Sequence, residues 1–205
     1  MKLLRGQTLI EMLIAFMVIA VGLFAAASIV YSNLGLVQRD QDEVTATNLA
    51  REGVEMAKQL RDSNWLAPAA PLGSPTDGFD AGFYSGTDYS ATPVWNPLAV
   101  GGTVPSFNFV ANDFSTDNTK IVLTQQGVLV NADSSLGLTN PAKTPFRRIL
   151  TFNPICANYS VKSSGTACDV STGAKIGIRV KSDVQWVRAG QTKDFIVYDD
   201  LYDWR

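Results

Sequence analysis

The sequence predicts an α+β fold in which one long N-terminal helix packs on a C-terminal antiparallel β-sheet. Three observations support this class. No proline precedes position 68, and this stretch is first apolar throughout and then apolar along one stripe. Proline and glycine are concentrated between residues 65 and 118. From residue 119 onward, alternating apolar and polar residues are typical of half-buried strands.

The composition argues against catalysis and against nucleic-acid binding. The 205 residues include no histidine and only two cysteines, so the common nucleophile–base pairs and zinc sites are excluded. The net charge of -2 leaves no basic excess for binding phosphates. A calcium site at Asn112, Asp113, Asp117 and Asn118 is disfavoured, because their spacing fits no EF-hand loop. We expect no enzyme, no cofactor, no metal and no nucleic-acid partner.

The first apolar segment is long enough to span a membrane. The residues from Met12 to Tyr31 carry no charge, and as a helix they cover about 30 Å, the thickness of the hydrocarbon core. Lys2 and Arg5 precede the segment, and the positive-inside rule places them in the cytoplasm. The residues after Tyr31 are therefore expected on the other side.

Three interpretations of this segment compete. A secretory signal peptide would be cut between Ala27 and Ser28, but Glu11 would then lie within its apolar stretch. A plain signal anchor explains the length and leaves Glu11 unexplained. The run Gly6-Gln7-Thr8-Leu9-Ile10-Glu11-Met12-Leu13 supports a third interpretation, because it resembles the N-terminal signature of type IV pilins and pseudopilins.

This resemblance implies how the N-terminus is processed and used. In that family a prepilin peptidase removes a short basic leader after its glycine, which makes residues 1–6 the leader and Gly6–Gln7 the cleavage site. Gln7 would be the N-methylated first residue, where the family most often has phenylalanine. Glu11, the fifth mature residue, would pair with the terminal amine of a neighbouring subunit. A capping box between Thr8 and Glu11 is the local alternative.

We expect one helix over residues 7–64, with its membrane-spanning half at 8–31. Residues 39–43 are polar on all sides, as expected where a helix enters water. Beyond them, apolar residues recur at steps of three and four and predict a stripe that packs on the sheet: Ala46, Leu49, Ala50, Gly53, Val54, Ala57 and Leu60. The opposite face carries charged residues: Arg51, Glu52, Glu55, Lys58 and Asp62.

Residues 65–118 are expected to form an irregular but ordered loop region. Six of the nine prolines and six of the sixteen glycines lie there, which excludes long regular elements. Unlike a disordered linker, the region is rich in aromatic residues: Trp65, Phe79, Phe83, Tyr84, Tyr89, Trp95, Phe107, Phe109 and Phe114. These side chains either anchor the loop to the C-terminal sheet domain, called the head below, or form an adhesive patch.

Residues 119–205 are predicted to form the antiparallel sheet of the head. Strands are expected at Lys120–Leu123, Val128–Val130, Phe146–Ile155, Ile176–Trp186 and Phe195–Tyr198, with turns at Gln125-Gln126-Gly127 and near Ala189-Gly190. The apolar face of this sheet must be buried against another element, and the amphipathic half of the helix is the candidate.

Cys156 and Cys168 are expected to form a disulfide. By the topology above they lie outside the cytoplasm, in an oxidising compartment. Because both precede the last hairpin, we expect the loop they enclose to decorate the edge of the sheet. Two buried free thiols are the alternative.

These patterns together predict a structural subunit of a type IV pilus or of a related secretion or competence filament. The precursor would lie in the inner membrane, and the mature chain would polymerise with other pilin subunits into a surface filament. The long loop and Gln7 favour a minor subunit. The alternative function is a membrane-anchored extracytoplasmic adhesion module that does not polymerise, which needs neither Glu11 nor the leader.

Overall fold

The computed structural model describes residues 9–66, 78–84, 89–94, 105–111, 113–163 and 165–203. Within these residues the chain forms one α-helix, α1 (Leu9–Leu66), two short 3-10 turns and seven strands. The strands are β1 (Ser90–Val94), β2 (Ser106–Phe109), β3 (Lys120–Leu123), β4 (Leu129–Asn131), β5 (Ala142–Cys156), β6 (Lys175–Arg188) and β7 (Gln191–Tyr202). The predicted α+β class is confirmed. The chain divides into two units, Met1–Val44 and Thr45–Arg205, and α1 contributes to both.

The bounds of α1 follow from the sequence. Its 58 residues contain no proline, and its interior is rich in alanine, leucine and methionine, which favour the helical conformation. The helix ends at Leu66, two residues before Pro68. A proline cannot continue a helix and also disfavours the helical conformation in the residue before it, so the observed end is expected.

The long strand β5 organises the sheet. One of its edges pairs with β6, from Phe146 opposite Trp186 to Cys156 opposite Lys175. Its other edge pairs with β3 near its start and with β1 near its end. The strands β4, β2 and β7 extend the sheet beyond β3, β1 and β6, and all these pairs are antiparallel.

The hairpin between β6 and β7 has the tight turn that the sequence predicted. Arg188 pairs with Gln191, so Ala189 and Gly190 alone connect the two strands. Their φ angles are +49° and +75°. Positive φ at both central residues is the hallmark of the type I′ turn, whose twist matches that of the flanking strands.

The strands β1 and β2 lie inside the region that the sequence analysis expected to be irregular. Both are short, with 5 and 4 residues, as the density of proline and glycine requires. Pro93 is tolerated in β1 because β5 pairs only with Ser90 and Ala91, so no partner on that side needs the N–H that proline lacks.

The rear half of α1 packs on the sheet through two apolar clusters. One joins Val54, Ala57 and Leu60 to residues that include Leu150, Phe152 and Val180. The other joins Ala46, Leu49 and Ala50 to residues that include Ile121, Phe146 and Val184. All seven residues of the predicted stripe are buried, together with Met56.

At Gly53, α1 packs closely against the sheet. A Cβ atom at this position would lie 2.7 Å from Leu150 Cδ2 and 2.8 Å from Ser182 Oγ. Both neighbours are fully buried. Only glycine therefore fits without a shift of the helix or of these side chains.

Candidate functional site

The front of α1, from Leu9 to Val37, presents a predominantly apolar surface that no residue in the described part of the chain covers. No residue of this segment is buried. Large side chains along it are exposed to a high degree, with Leu9 at 81%, Phe24 at 80% and Tyr31 at 76%. Within the described residues, α1 is the one helix that is long and apolar enough to cross a membrane. A surface of this kind needs lipid or protein around it.

Glu11 is the only residue with a formal charge between Leu9 and Gln38. It lies in the first turn of α1 and is exposed. The positive end of the helix dipole stabilises a carboxylate at this position. Gly6 and Gln7, the predicted cleavage site, and Thr8, the predicted capping partner, lie outside the described residues.

A buried arginine joins α1 to the sheet, and the sequence analysis did not identify it. Arg148 of β5 is 1% exposed. Its Nη1 donates to the carbonyl oxygen of Leu49 at 2.9 Å and to Glu52 Oε2 at 3.0 Å. Its Nε and Nη2 donate to Asn131 Oδ1 at 3.0 and 2.8 Å. Burial lowers the pKa of the guanidinium, while Glu52 acts in the opposite direction.

Glu52 and Lys58, which the sequence analysis placed on the face opposite the apolar stripe, both reach partners on the sheet. Glu52 contacts Arg148, and Lys58 Nζ lies 2.8 Å from Asp199 Oδ2 on β7. Lys58 also contacts Glu55 Oε1 at 3.0 Å. Hydrogen bonds to Asp199 and Glu55 raise the pKa of Lys58. Both side chains lie at the margins of the apolar stripe, from where they reach polar groups of the sheet.

Most of the described aromatic residues of the region 65–118 pack into the apolar core of the head. Phe79 and Phe83 are buried in the first cluster, and Tyr84, Phe107, Phe109 and Trp65 pack against it. The ring of Phe83 meets that of Phe152 edge-on at 5.1 Å. Asn64 at the end of α1 donates to the carbonyl oxygens of Phe79 and Ala81, at 3.0 and 2.9 Å. Trp95 lies outside the described residues.

Cys156 and Cys168 form a disulfide in the structure. The enclosed loop connects β5 with β6, so it lies at the ends of two inner, paired strands. The expectation that it decorates an edge of the sheet was wrong, because a hairpin connection between paired strands must lie at their ends.

Within this loop, Asp169 accepts hydrogen bonds from the backbone N–H groups of Ser171 and Thr172 and from their hydroxyls. These hydrogen bonds lower the pKa of Asp169.

The acidic residues considered for calcium have local partners. Asp113 Oδ1 accepts the N–H of Ser115 at 2.8 Å, and Asp117 forms an ion pair with Lys120. Asn112 lies outside the described residues. In the part of the chain that the structure describes, no group of three or more His, Cys, Asp or Glu residues could hold a metal ion.

Comparison with known families gives one match. Residues 1–27 match the family model of the prokaryotic N-terminal methylation motif, which is the signature of type IV pilins and pseudopilins. The matched residues include Gly6, Gln7 and Glu11. The resemblance stated in the sequence analysis is thus confirmed for this N-terminal segment. Neither the curated proteins nor the solved structures compared with the chain gave a match.

Proposed function

We propose that this chain, which carries the prokaryotic N-terminal methylation motif, is a structural subunit of a type IV pilus or of a related secretion or competence filament. Its precursor is inserted in the inner membrane, where a prepilin peptidase cuts it after Gly6 and Gln7 becomes methylated. The mature chain then leaves the lipid and assembles with other pilin subunits into a surface filament. It acts in assembly, and no step of its function requires catalysis.

The coincidence of the motif with the exposed front of α1 carries this proposal. A helix that is apolar on all sides is stable in lipid, and the same surface can be buried against neighbouring helices. The rear of the same helix is already occupied by the sheet. The front of α1 is therefore available to move from the membrane into a filament, while the rear of α1 packs on the sheet of the head.

In this proposal, Glu11 determines how neighbouring subunits align. A carboxylate within a membrane helix is unfavourable, by up to about 2.5–3.5 kcal/mol at the bilayer centre and less near its edge. Cleavage after Gly6 creates a positive amine on Gln7. We propose that Glu11 pairs with this amine on a neighbouring subunit, because the attraction is strong in a medium of low dielectric constant. Desolvation offsets part of the gain, so the pair sets the register of subunits more than their affinity.

Processing is tested by intact-mass analysis of the protein extracted from membranes. We expect a chain without residues 1–6 that carries one added methyl group. This chain has lost Lys2 and Arg5, so its side-chain charge falls from -2 to -4. An N-terminus at Ser28 would instead identify a secretory signal peptide, and an intact N-terminus would identify a plain anchor.

Assembly is tested with Glu11→Gln, measured as the fraction of the protein recovered in sheared filaments. We expect normal insertion and cleavage but poor incorporation. Glutamine keeps an oxygen that can cap the helix, so the capping alternative predicts normal incorporation. Glu55→Gln is the matched control, since Glu55 is 68% exposed in an ion pair with Lys58. Equal incorporation of the two variants would exclude the Glu11 pairing.

We further propose that the chain is a minor subunit. The long loop region and Gln7 in place of the usual phenylalanine support this assignment. Quantitative mass spectrometry of sheared filaments should find it at a small fraction of the most abundant pilin. Imaging of a deletion strain separates the remaining possibilities, since loss of all fibres indicates an essential initiator and normal fibres a dispensable subunit. If this chain is the most abundant protein in the filaments, the assignment is wrong.

A further inference from the structure

A small hairpin within the loop between β5 and β6 carries the triplet Asn158-Tyr159-Ser160 at its tip. The N–H of Cys156 donates to the carbonyl oxygen of Ser160 at 3.0 Å, which closes the hairpin. Ile155 and Val161, the residues before and after this pair, form an antiparallel bridge. The disulfide between Cys156 and Cys168 ties the base of the hairpin to the rest of the loop.

The tip of this hairpin is open to solvent. Asn158 is exposed, and the exposed fraction of Tyr159 is 75%. The φ angle of Tyr159 is +61°, a left-handed conformation that reverses the chain at this point. The N–H of Tyr159 donates to the carbonyl oxygen of Cys156 at 2.8 Å, so the backbone itself holds the turn. A second macromolecule can therefore reach the side chain of Asn158 while the head stays folded.

The triplet has the pattern of an acceptor for an asparagine-linked glycan. This pattern is Asn-x-Ser or Asn-x-Thr, with any residue except proline in the middle. Asn158 is the one asparagine of the sequence that meets it. Because the pattern is short, its place in the fold decides whether it can be used. Acceptors of this kind lie in surface loops of exported proteins, and the exposed tip of the hairpin meets that requirement.

The hydroxyl that the pattern requires already lies beside the asparagine amide. Ser160 Oγ donates to Asn158 Oδ1 at 2.6 Å, and the N–H of Ser160 donates to the same oxygen at 3.0 Å. Both hydrogen bonds engage the amide oxygen, so neither occupies the two N–H groups of Asn158 Nδ2. The loop therefore presents the asparagine and its hydroxyl partner as one preformed unit.

The proposed insertion of the precursor places this loop outside the cytoplasm, because Lys2 and Arg5 keep the N-terminus inside. The disulfide of the same loop agrees with an oxidising compartment. On that side of the membrane, an acceptor asparagine can meet a sugar that is linked through phosphate to a polyprenyl lipid.

We propose that Asn158 carries an N-linked glycan. In the transfer, Asn158 Nδ2 forms a bond to the anomeric carbon of a sugar held on a polyprenyl phosphate lipid. The bond between that carbon and the phosphate oxygen breaks, the phosphate leaves with the electron pair, and Nδ2 gives up one proton. The glycan is bulky and hydrophilic, so it covers the tip of the loop beside Tyr159. The proposal rests on the proposed membrane topology and does not require polymerisation.

The test is mass spectrometry of the chain extracted from the membranes of its own host, first intact and then after reduction and digestion. Trypsin cleaves after Arg148 and Lys162, so the peptide 149–162 contains the triplet. We expect this peptide to carry the added mass of whole sugar units. Fragmentation that retains the sugar should place it on Asn158 and leave Asn153, which precedes a proline, unmodified.

Substitutions separate an N-linked glycan from other modifications. Asn158→Gln and Ser160→Ala should each remove the added mass, whereas Ser160→Thr keeps the hydroxyl and should retain it. A sugar linked to the Ser160 hydroxyl would instead survive in Asn158→Gln. Ser163→Ala is the matched control, because it removes an exposed hydroxyl of the same loop outside the triplet and should change nothing. Resistance of Cys156 and Cys168 to alkylation without reductant confirms that each variant keeps its disulfide.

The intact mass distinguishes failure of this proposal from failure of the proposed function. A chain that lacks residues 1–6 and has an unmodified Asn158 would overturn the glycosylation and leave the processing in place. A glycosylated chain that begins at Ser28 would support the glycosylation and contradict the proposed filament subunit. An unmodified Asn158 overturns the proposal whatever the N-terminus is, and so does a sugar that remains on the Asn158→Gln variant.

Discussion

Arg148 on β5 and Glu52 on α1 form an ion pair across the interface between helix and sheet, with Nη1 and Oε2 3.0 Å apart. Arg148 is almost completely buried, whereas the Glu52 side chain is 31% exposed. Asn131 receives two hydrogen bonds from the same guanidinium and itself donates to the carbonyl oxygen of Asn118 at 3.0 Å. One arginine thus connects α1, β5 and β4, and its charge depends on Glu52 for compensation.

Glu52→Ala should be strongly destabilising. It leaves the buried charge of Arg148 without a counter-ion, a change that reduces the free energy of unfolding by about 3–5 kcal/mol in well-buried pairs. Because Glu52 is partly exposed, water can approach its place, and we expect the lower end, about 3 kcal/mol. The matched control is Glu55→Ala on the same helix, since an exposed pair contributes about 0–1 kcal/mol. Urea denaturation of the detergent-solubilised chain measures both, and equal midpoints would contradict the prediction.

Arg148→Met in the Glu52→Ala background should recover part of that loss. Methionine fills much of the arginine volume and removes the uncompensated charge, so the effects of the two substitutions should not add. Asn131 then lacks its donor, which limits the recovery. If the double variant is no more stable than Glu52→Ala alone, the buried charge is not the origin of the effect.

Gly53→Ala should destabilise the head although alanine is the better helix former. Its methyl group would overlap Leu150 and Ser182, and overpacking of a dense core reduces stability by about 1–3 kcal/mol. The gain in helix propensity is about 1 kcal/mol, so we expect a net loss. Gly35→Ala on the same helix is the control, because no atom lies within 4 Å of its added Cβ. A stabilised Gly53→Ala variant would mean that α1 can move away from the sheet.

Most of the helices and strands could be predicted because they depend on patterns of neighbouring residues in the sequence. The helix was expected over residues 7–64 and spans Leu9–Leu66 in the described part, since the absence of proline and the periodic stripe are local signals. The long strands β5 and β6 were recognised from their alternation. The turn at Ala189-Gly190 was recognised from a glycine between two strand-like runs.

The features that were missed depend on residues far apart in the sequence. Arg148 and Glu52 are 96 positions apart, so nothing local to either predicts their pairing. A signal was nevertheless present, since Arg148 occupies an inward position between Phe146 and Leu150. The strands β1 and β2 were missed because proline and glycine dominate their surroundings, while pairing with β5 decides their conformation.

Lys58 should make the stability of the head fall at alkaline pH. Its pKa in the folded chain is raised above 10.5 by Asp199 and Glu55, so the folded state holds this proton more tightly than the unfolded state does. The contribution of the protonated Lys58 to the free energy of unfolding is complete below about pH 10.5. It disappears as the pH rises through the pKa that Lys58 has in the folded chain. Lys58→Gln should therefore show a smaller loss of stability than wild type above pH 10.5, measured as urea midpoints.

Lys193→Gln controls for the change in net charge, because it removes one positive charge from β7, the strand that carries Asp199. Both variants are compared with wild type at pH 8, where Lys58→Gln should be the less stable of the two. Identical alkaline profiles for wild type and Lys58→Gln would show that the contact with Asp199 does not hold in solution.

The disulfide between Cys156 and Cys168 should stabilise the folded chain. Under denaturing but non-reducing conditions, neither Cys156 nor Cys168 should react with a thiol alkylating reagent, and both should react after reduction. The bond closes a loop with a sequence separation of 12, which in the chain-entropy model is worth roughly 3 kcal/mol. The double variant Cys156→Ala/Cys168→Ala should lose about this amount, and reduced wild type should lose the same. Addition of reductant to the double variant is the control and should change nothing. Labelling without reductant, or equal stability of oxidised and reduced wild type, would contradict the prediction.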